Sequence, residues 1–99
     1  MTDITATSAH AITAELPEDL LSYLRAGALG IVITVGDDGY PTDAFTWVVA
    51  LDDKRLRVTV DHGSKTLANL ERDGRAAVQL IGPDNLVFLV KGMCRLIKG

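Results

Sequence analysis

The residues between positions 59 and 66 have types and spacing that suit the binding of a phosphate group. Ser64 and Thr66 supply hydroxyls, Lys65 supplies a positive charge, and a helix beginning here would offer free backbone N–H groups. Gly63 would let the backbone approach a ligand closely. The segment therefore predicts a phosphate cradle, while a simple Ser-capped helix with a solvated Lys65 accounts for the same residues.

Other residues with reactive side chains give weaker indications of a site. His62 lies close to the predicted cradle and is a candidate contact for a phosphate, but a loop histidine is more often merely exposed. Cys94 is the only cysteine and lies in an apolar stretch, which favours an inert buried thiol. The Asp-Asp pairs at 37–38 and 52–53 have the composition of turns. No catalytic residue and no metal site are predicted.

The size and charge of the chain restrict its class. With 99 residues and 47% hydrophobic residues, it can bury one core, so a single domain over 15–99 and a flexible arm over 1–14 are expected. The net charge of -3 opposes nucleic acid or an anionic membrane as a partner. The lone cysteine, and the lack of a signal sequence or a long apolar segment, favour the cytoplasm.

The apolar spacing of the chain divides it into two helices and five strands. The run at 28–35 is nearly continuous in β-branched residues, which predicts a strand covered on both faces. Gly74 is the residue expected to end the second helix in a left-handed conformation. The predicted elements are a helix after Pro17 that stops at Gly27, strands at 28–35, 40–51 and 56–60, a helix from Ser64 to Gly74, and strands at 76–81 and 86–97.

Strands joined by short turns, with one helix inserted, favour an antiparallel sheet that closes or half-closes into a barrel. The predicted fold class is therefore mainly β with two short helices. The strands at the two edges of such a sheet need closure or a partner, because their backbone N–H and C=O groups would otherwise stay unpaired.

The segment from Ile33 to Gly92 resembles the FMN-binding split barrel of the pyridoxamine 5'-phosphate oxidase family. The resemblance rests on a strand, an Asp-Asp-Gly-Tyr-Pro hairpin, a Trp-bearing strand and the motif Gly-Ser-Lys-Thr-x-x-Asn-Leu. It implies an antiparallel split barrel that binds FMN at the interface of a homodimer. It also implies a phosphate site at Thr59, Val60, Ser64, Lys65 and Thr66, and a flavin ring along Phe45, Thr46, Trp47 and Val48.

The resemblance further implies a flavin-dependent oxidoreductase that takes a small-molecule substrate and an electron donor. The oxidases proper carry an Arg and a Lys where this chain has Ala44 and Val49, and a Gln where it has Val87, so pyridoxamine phosphate is not the expected substrate. The chain ends at Gly99, where the family continues through a further strand and helix. Three alternatives fit the same residues: an F420-dependent reductase, a non-catalytic flavin or haem module, and a barrel that only dimerises.

Overall fold

A computed structural model describes residues 15–97 of the chain and confirms the predicted order of helix, three strands, helix and two strands. The predicted arm, 1–14, lies outside the described residues. The elements are helix α1 (Glu18–Arg25), strands β1 (Ala28–Val35), β2 (Pro41–Asp52) and β3 (Arg55–Val58), helix α2 (Lys65–Arg72), strand β4 (Arg75–Ile81), a 3-10 turn (Pro83–Asn85) and strand β5 (Val87–Met93).

The five strands form one antiparallel sheet in the order β3-β2-β1-β4-β5. Strand β1 occupies the centre because it pairs with β2 along its whole length and with β4 from Gly30 to Thr34. The sheet curls into half of a barrel, so it has a concave and a convex face. The predicted mainly β, antiparallel, half-closed fold is therefore confirmed.

The concave face carries the hydrophobic core, and helix α1 packs against it. Leu20 and Leu24 of this helix are fully buried, as the apolar spacing before Gly27 predicts. They lie in one cluster with Val32 of β1 and Val48 of β2. Burial of side chains of this kind contributes about 1.5–3 kcal/mol each, so this cluster is the main stabilising element of the sheet.

The convex face is open in the single chain, so the prediction that β1 is covered on both faces is wrong for the chain by itself. Alternate residues of β1 are buried toward the core, whereas Leu29 on the other face remains 61% exposed. Both helices lie on the concave side, and no other element among residues 15–97 is available to cover the convex one.

Two predicted ends are also corrected. The second helix ends at Arg72 with an extended Asp73 as its cap, and Gly74 is not among the glycines with a positive φ. A side chain at Gly74 would instead crowd the backbone carbonyl of Cys94. The close approach of these two backbone segments therefore explains why this residue is a glycine. The last strand stops at Met93 rather than residue 97, because its partner β4 begins at Arg75, which is paired with Met93.

Helix α2 is fixed to the central strand by a buried hydrogen bond. The side-chain amide of Asn69 donates to the hydroxyl of Thr34 over 3.0 Å, and both residues are buried. Arg72 donates to the carbonyl oxygen of Asn69's side chain and to the backbone carbonyl of Val35. These bonds set the position of α2 relative to the sheet, and with it the position of the helix N-terminus.

Thr34→Val is expected to lower the free energy of unfolding by about 1–3 kcal/mol, because it leaves the buried Asn69 amide without its acceptor. Thr42→Val is the matched control, since Thr42 makes no hydrogen bond through its side chain within residues 15–97 and should change stability by less than about 0.5 kcal/mol. Urea denaturation measures both. Equal stabilities of the two variants would contradict the assigned role of the Thr34 hydroxyl.

Candidate functional site

A cleft of about 240 Å³ lies between strand β2 and the start of helix α2. It contains all the predicted site residues except Lys65 and Val48. Its lining consists of Val32, Ala44, Phe45, Thr46, Trp47, Thr59, Val60, Asp61, Ser64 and Thr66. The two stretches to which the sequence resemblance assigned a flavin ring and a phosphate thus form opposite walls of one cavity.

The cleft exists because β3 leaves β2 early. The sequence predicts a strand over 56–60, but the backbone pairing ends at Val58. At the next residue the hydroxyl of Thr46 donates to the carbonyl of Thr59 over 2.8 Å and accepts from its N–H group over 3.2 Å. A side chain therefore replaces a backbone partner at this point, and within residues 15–97 the edge of β2 beyond it has no neighbouring strand.

The open edge of β2 directs backbone polar groups into the cleft. The N–H and C=O groups of Thr59 face β2. Because the direction of the backbone polar groups alternates along a strand, the N–H and C=O groups of Arg57 also face β2, where Arg57 is paired with Val49. The same alternation along β2 turns the N–H and C=O groups of Trp47 and Phe45 to this side. The cleft is thus bordered by backbone donors and acceptors that can bond to a planar polar ring.

The opposite wall is the N-terminus of helix α2, and its predicted serine cap is confirmed. The Ser64 hydroxyl accepts from the N–H group of Leu67 over 3.1 Å and donates to the carbonyl of Asp61 over 2.8 Å. The N–H groups of Lys65 and Thr66 have no partner within residues 15–97. Thr66 is buried and lines the cleft, so this wall offers hydrogen-bond donors from its backbone.

Lys65 and Val48 are placed differently from the other predicted site residues. Lys65 is the first residue of α2 and its side chain is exposed, with no ion pair within residues 15–97. Val48 is fully buried, and its side chain belongs to the core on the concave face. Lys65 thus lies between two lining residues in the chain with its side chain exposed, whereas the side chain of Val48 lies on the core side of the strand.

Sequence reasoning missed three lining residues: Val32, Ala44 and Asp61. Ala44 is next to Phe45 on β2 and leaves space because its side chain is small. Asp61 lies inside the predicted cradle and adds a carboxylate at its rim, with its backbone carbonyl held by Ser64. Only Asp61 could have been found from the sequence, because it belongs to the same loop, whereas Val32 and Ala44 come near through strand pairing.

Large apolar side chains on the convex face lie beside the cleft, and we call them the convex patch: Leu29, Phe45, Trp47 and Ile81. Their exposed fractions are 61%, 75%, 52% and 58%. Leu29 pairs directly with Trp47, so the members on β1 and β2 are neighbours. Exposed apolar residues gathered in this way are typical of interaction surfaces.

The indole of Trp47 rests on the backbone of Gly27, which follows helix α1. A side chain at Gly27 would clash with the Trp47 indole, and the φ of +90° at Gly27 also favours glycine. The contact orients the indole along the convex face, so Trp47 belongs both to the convex patch and to the wall of the cleft.

The side chains whose pKa values are shifted lie outside the lining of the cleft. A hydrogen bond from the guanidinium of Arg75 holds the pKa of Asp73 at about 2, and the Lys54 N–H and Arg55 lower the pKa of Asp52. Burial raises the pKa of the Cys94 thiol, but Cys94 is half-buried and follows the end of β5, so the predicted full burial in a strand is wrong. Lys65 remains the cation nearest in sequence to the cleft wall formed by Ser64 and Thr66.

Comparison of the chain with models of protein families and with curated proteins gave no match. Neither helix within residues 15–97 has the length and apolarity needed to cross a membrane. In the same residues, no group of three or more His, Cys, Asp or Glu side chains is arranged to hold a metal ion.

Ser64→Ala is expected to lower the free energy of unfolding by about 0.5–2 kcal/mol, because the Leu67 N–H group loses its acceptor. Ser22→Ala, in the exposed part of α1, is the control and should stay within about 0.5 kcal/mol of the wild type. Urea unfolding followed by circular dichroism measures both changes. A Ser64→Ala variant as stable as the control would show that the cap adds nothing.

Proposed function

We propose that this chain is a homodimeric flavin-dependent oxidoreductase of the split-barrel type, with FMN in the cleft between β2 and α2. The proposal is supported by one observation: two different kinds of wall line the same cleft. One wall is a strand edge with backbone donors and acceptors, and the other is a helix N-terminus, and the groups of both lack backbone partners among residues 15–97. FMN has a planar polar ring at one end and a phosphate at the other.

The helix wall suits the phosphate. The unpaired N–H groups of Lys65 and Thr66 would donate to its oxygens, and the helix dipole favours an anion there by about 0.3–1 kcal/mol. The exposed ammonium group of Lys65 would add a charge-assisted hydrogen bond. The negative charge of Asp61 would repel an anion, so the phosphate would lie toward the helix and away from that carboxylate.

The strand wall suits the ring. The backbone N–H and C=O groups of Phe45 and Trp47 would pair with the acceptors and donors along the edge of an isoalloxazine. The Thr46 hydroxyl is occupied by Thr59, so it fixes the spacing of the wall rather than binding the ligand. The chain would orient the flavin through its backbone, which explains why no side chain with catalytic chemistry is needed to hold it.

The size of the cleft supports a dimer. About 240 Å³ is below the range of roughly 300–1,000 Å³ that encloses small ligands, so one chain would cover only part of a flavin. The convex patch begins at the same residues, Phe45 and Trp47, that border the cleft. A second copy packed on this patch would bury its apolar surface and supply the missing wall.

When bound, the flavin would supply the hydride-transfer chemistry. The residues of this chain would bind, orient and shield it, and none is assigned as an acid or a base. Ala44 and Val49 provide no cation near the ring, so an anionic substrate such as pyridoxamine phosphate is not proposed. F420 also carries phosphate and a related ring, so the same donors would serve it.

An absorption spectrum of the purified protein in the near-ultraviolet and visible range, with mass analysis of any released molecule, separates these cofactors. Flavin bands and the mass of FMN support the proposal, whereas the mass of F420 selects the deazaflavin alternative. A Soret band identifies a haem protein instead. No bound chromophore, even after FMN and F420 are added, would contradict every cofactor proposal and leave a barrel that dimerises without one.

Lys65→Ala is expected to weaken FMN binding by about 10- to 100-fold, because a hydrogen bond to a charged group contributes about 1.5–3 kcal/mol. Ser64→Asp keeps a capping oxygen but places a carboxylate at the cradle, so it should weaken binding while leaving the fold stable. Lys54→Ala, in the turn after β2, is the control. Quenching of FMN fluorescence measures affinity, and equal affinities of the Lys65 and Lys54 variants would refute the cradle.

Leu29→Arg is expected to shift the protein from dimer to monomer, because it puts a charge at the centre of an apolar self-complementary surface. Tyr40→Arg is the control, since Tyr40 is 71% exposed but lies in the hairpin before β2. Sedimentation at several concentrations measures the shift. A wild type that is monomeric at every concentration would contradict the dimer without affecting the cradle.

A further inference from the structure

Two charged side chains, Asp43 on β2 and Lys91 on β5, lie at opposite ends of one row of the convex face. In this row Asp43 pairs with Ile33, Ile33 with Ala77, and Ala77 with Lys91. Residues paired in this way point to the same face of a sheet. Both charged side chains are exposed, and neither makes an ion pair with another of residues 15–97.

The next two rows of the convex face are apolar except for one glutamine. Counted from β2 to β5, they are Phe45, Ile31, Gln79 and Leu89, and then Trp47, Leu29, Ile81 and Val87. These rows contain the whole convex patch. The solvated face of an antiparallel sheet usually carries polar residues, so the composition of these rows favours a face that another surface covers.

The order of charges in this face is self-complementary. Strands β2, β1, β4 and β5 carry the rows, so the midline of each row lies between β1 and β4. A two-fold axis along this midline, parallel to the strands, lays β2 of one copy over β5 of a second copy. It places Asp43 against Lys91 of the partner subunit, and Lys91 against Asp43 of the partner subunit. One rotation thus forms two pairs of opposite charges at the ends of the charged row.

The other two-fold axis that brings the same apolar rows together runs across the strands. It lays β2 over β2 of the second copy and exchanges the two apolar rows. Asp43 would then face Val49 of the partner subunit, because these residues lie one row beyond the apolar rows on either side. A carboxylate that is buried against an apolar side chain without a partner is costly. The charges therefore select the axis that runs parallel to the strands.

We propose that two copies of this chain pack convex face to convex face about a two-fold axis between β1 and β4, with an ion pair between Asp43 of each copy and Lys91 of the other. The inference rests on the dimer of the proposed function and defines how its subunits are oriented. Facing sheets lie about 10 Å apart. Because each sheet is curled, the gap widens toward β2 and β5, where the long side chain of Lys91 can reach across it.

The same axis assigns part of the candidate site to the second copy. It places Leu89 of the partner subunit against Phe45, and Val87 of the partner subunit against Trp47. Phe45 and Trp47 border the cleft, so strand β5 of the second copy would form the wall that one chain lacks. Strand β3 has no counterpart beyond β5 and would lie outside the overlap of the two sheets.

Exchange of the two charges tests the pairing, with the dimer dissociation constant measured by sedimentation equilibrium. Asp43→Lys and Lys91→Asp each put like charges at both contacts, so each should weaken the dimer on the order of 100-fold. The double variant Asp43→Lys, Lys91→Asp restores opposite charges and should dimerise within about threefold of the wild type. An equimolar mixture of the two single variants should form a heterodimer, because one copy carries two lysines and the other two aspartates.

The matched controls are Asp37→Lys and Lys54→Asp, which make the same charge changes in exposed turns and should dimerise as the wild type does. A wild type that is monomeric at every concentration would overturn the proposal. Single variants as dimeric as the controls would overturn this orientation, and so would weakened single variants that neither mixing nor the double exchange restores. Quenching of FMN fluorescence in the same samples reports separately on the proposed cofactor site.

Discussion

The hydroxyl of Thr46 lies at the point where strand β3 stops pairing with strand β2. By bonding to both backbone groups of Thr59, it satisfies the strand end that would otherwise continue pairing with β2. The chain is then free to turn through Gly63 into helix α2, and the edge of β2 is left open. The cleft lies beside this point, where β3 ends and the chain turns toward helix α2. A buried polar side chain thus lies at the end of the strand pairing.

Local signals in the sequence were sufficient for most of the fold. The bounds of β1 were predicted as observed because a β-branched run is flanked by Gly27 and by an Asp-Asp-Gly turn. The serine cap at Ser64 was predicted for the same reason, since capping involves residues three apart. Errors occurred where a distant residue intervenes: Thr46 shortens β3, and the close backbone of Cys94 explains Gly74 better than a helix end does.

The candidate site shows the same division between local and distant information. The helix wall could be predicted from consecutive residues, because hydroxyl, ammonium and N–H groups follow one another in the chain. The strand wall could be named only through a family resemblance, since nothing near Phe45 in the sequence indicates what it faces. Strand pairing and the exit of β3 bring the two walls together, and neither is encoded in a short motif.

The central position of β1 has a consequence for how the chain acquires its structure. Its pairing with β2 closes through a short turn, and β4 and β5 likewise form a hairpin through Pro83–Asn85. The seam between β1 and β4 instead joins Gly30 to Leu80 across two strands and a helix. Long-range contacts of this kind carry the largest loop-closure entropy and set the folding rate. The pairs of consecutive strands β1–β2, β2–β3 and β4–β5 are therefore expected to form before the seam between β1 and β4.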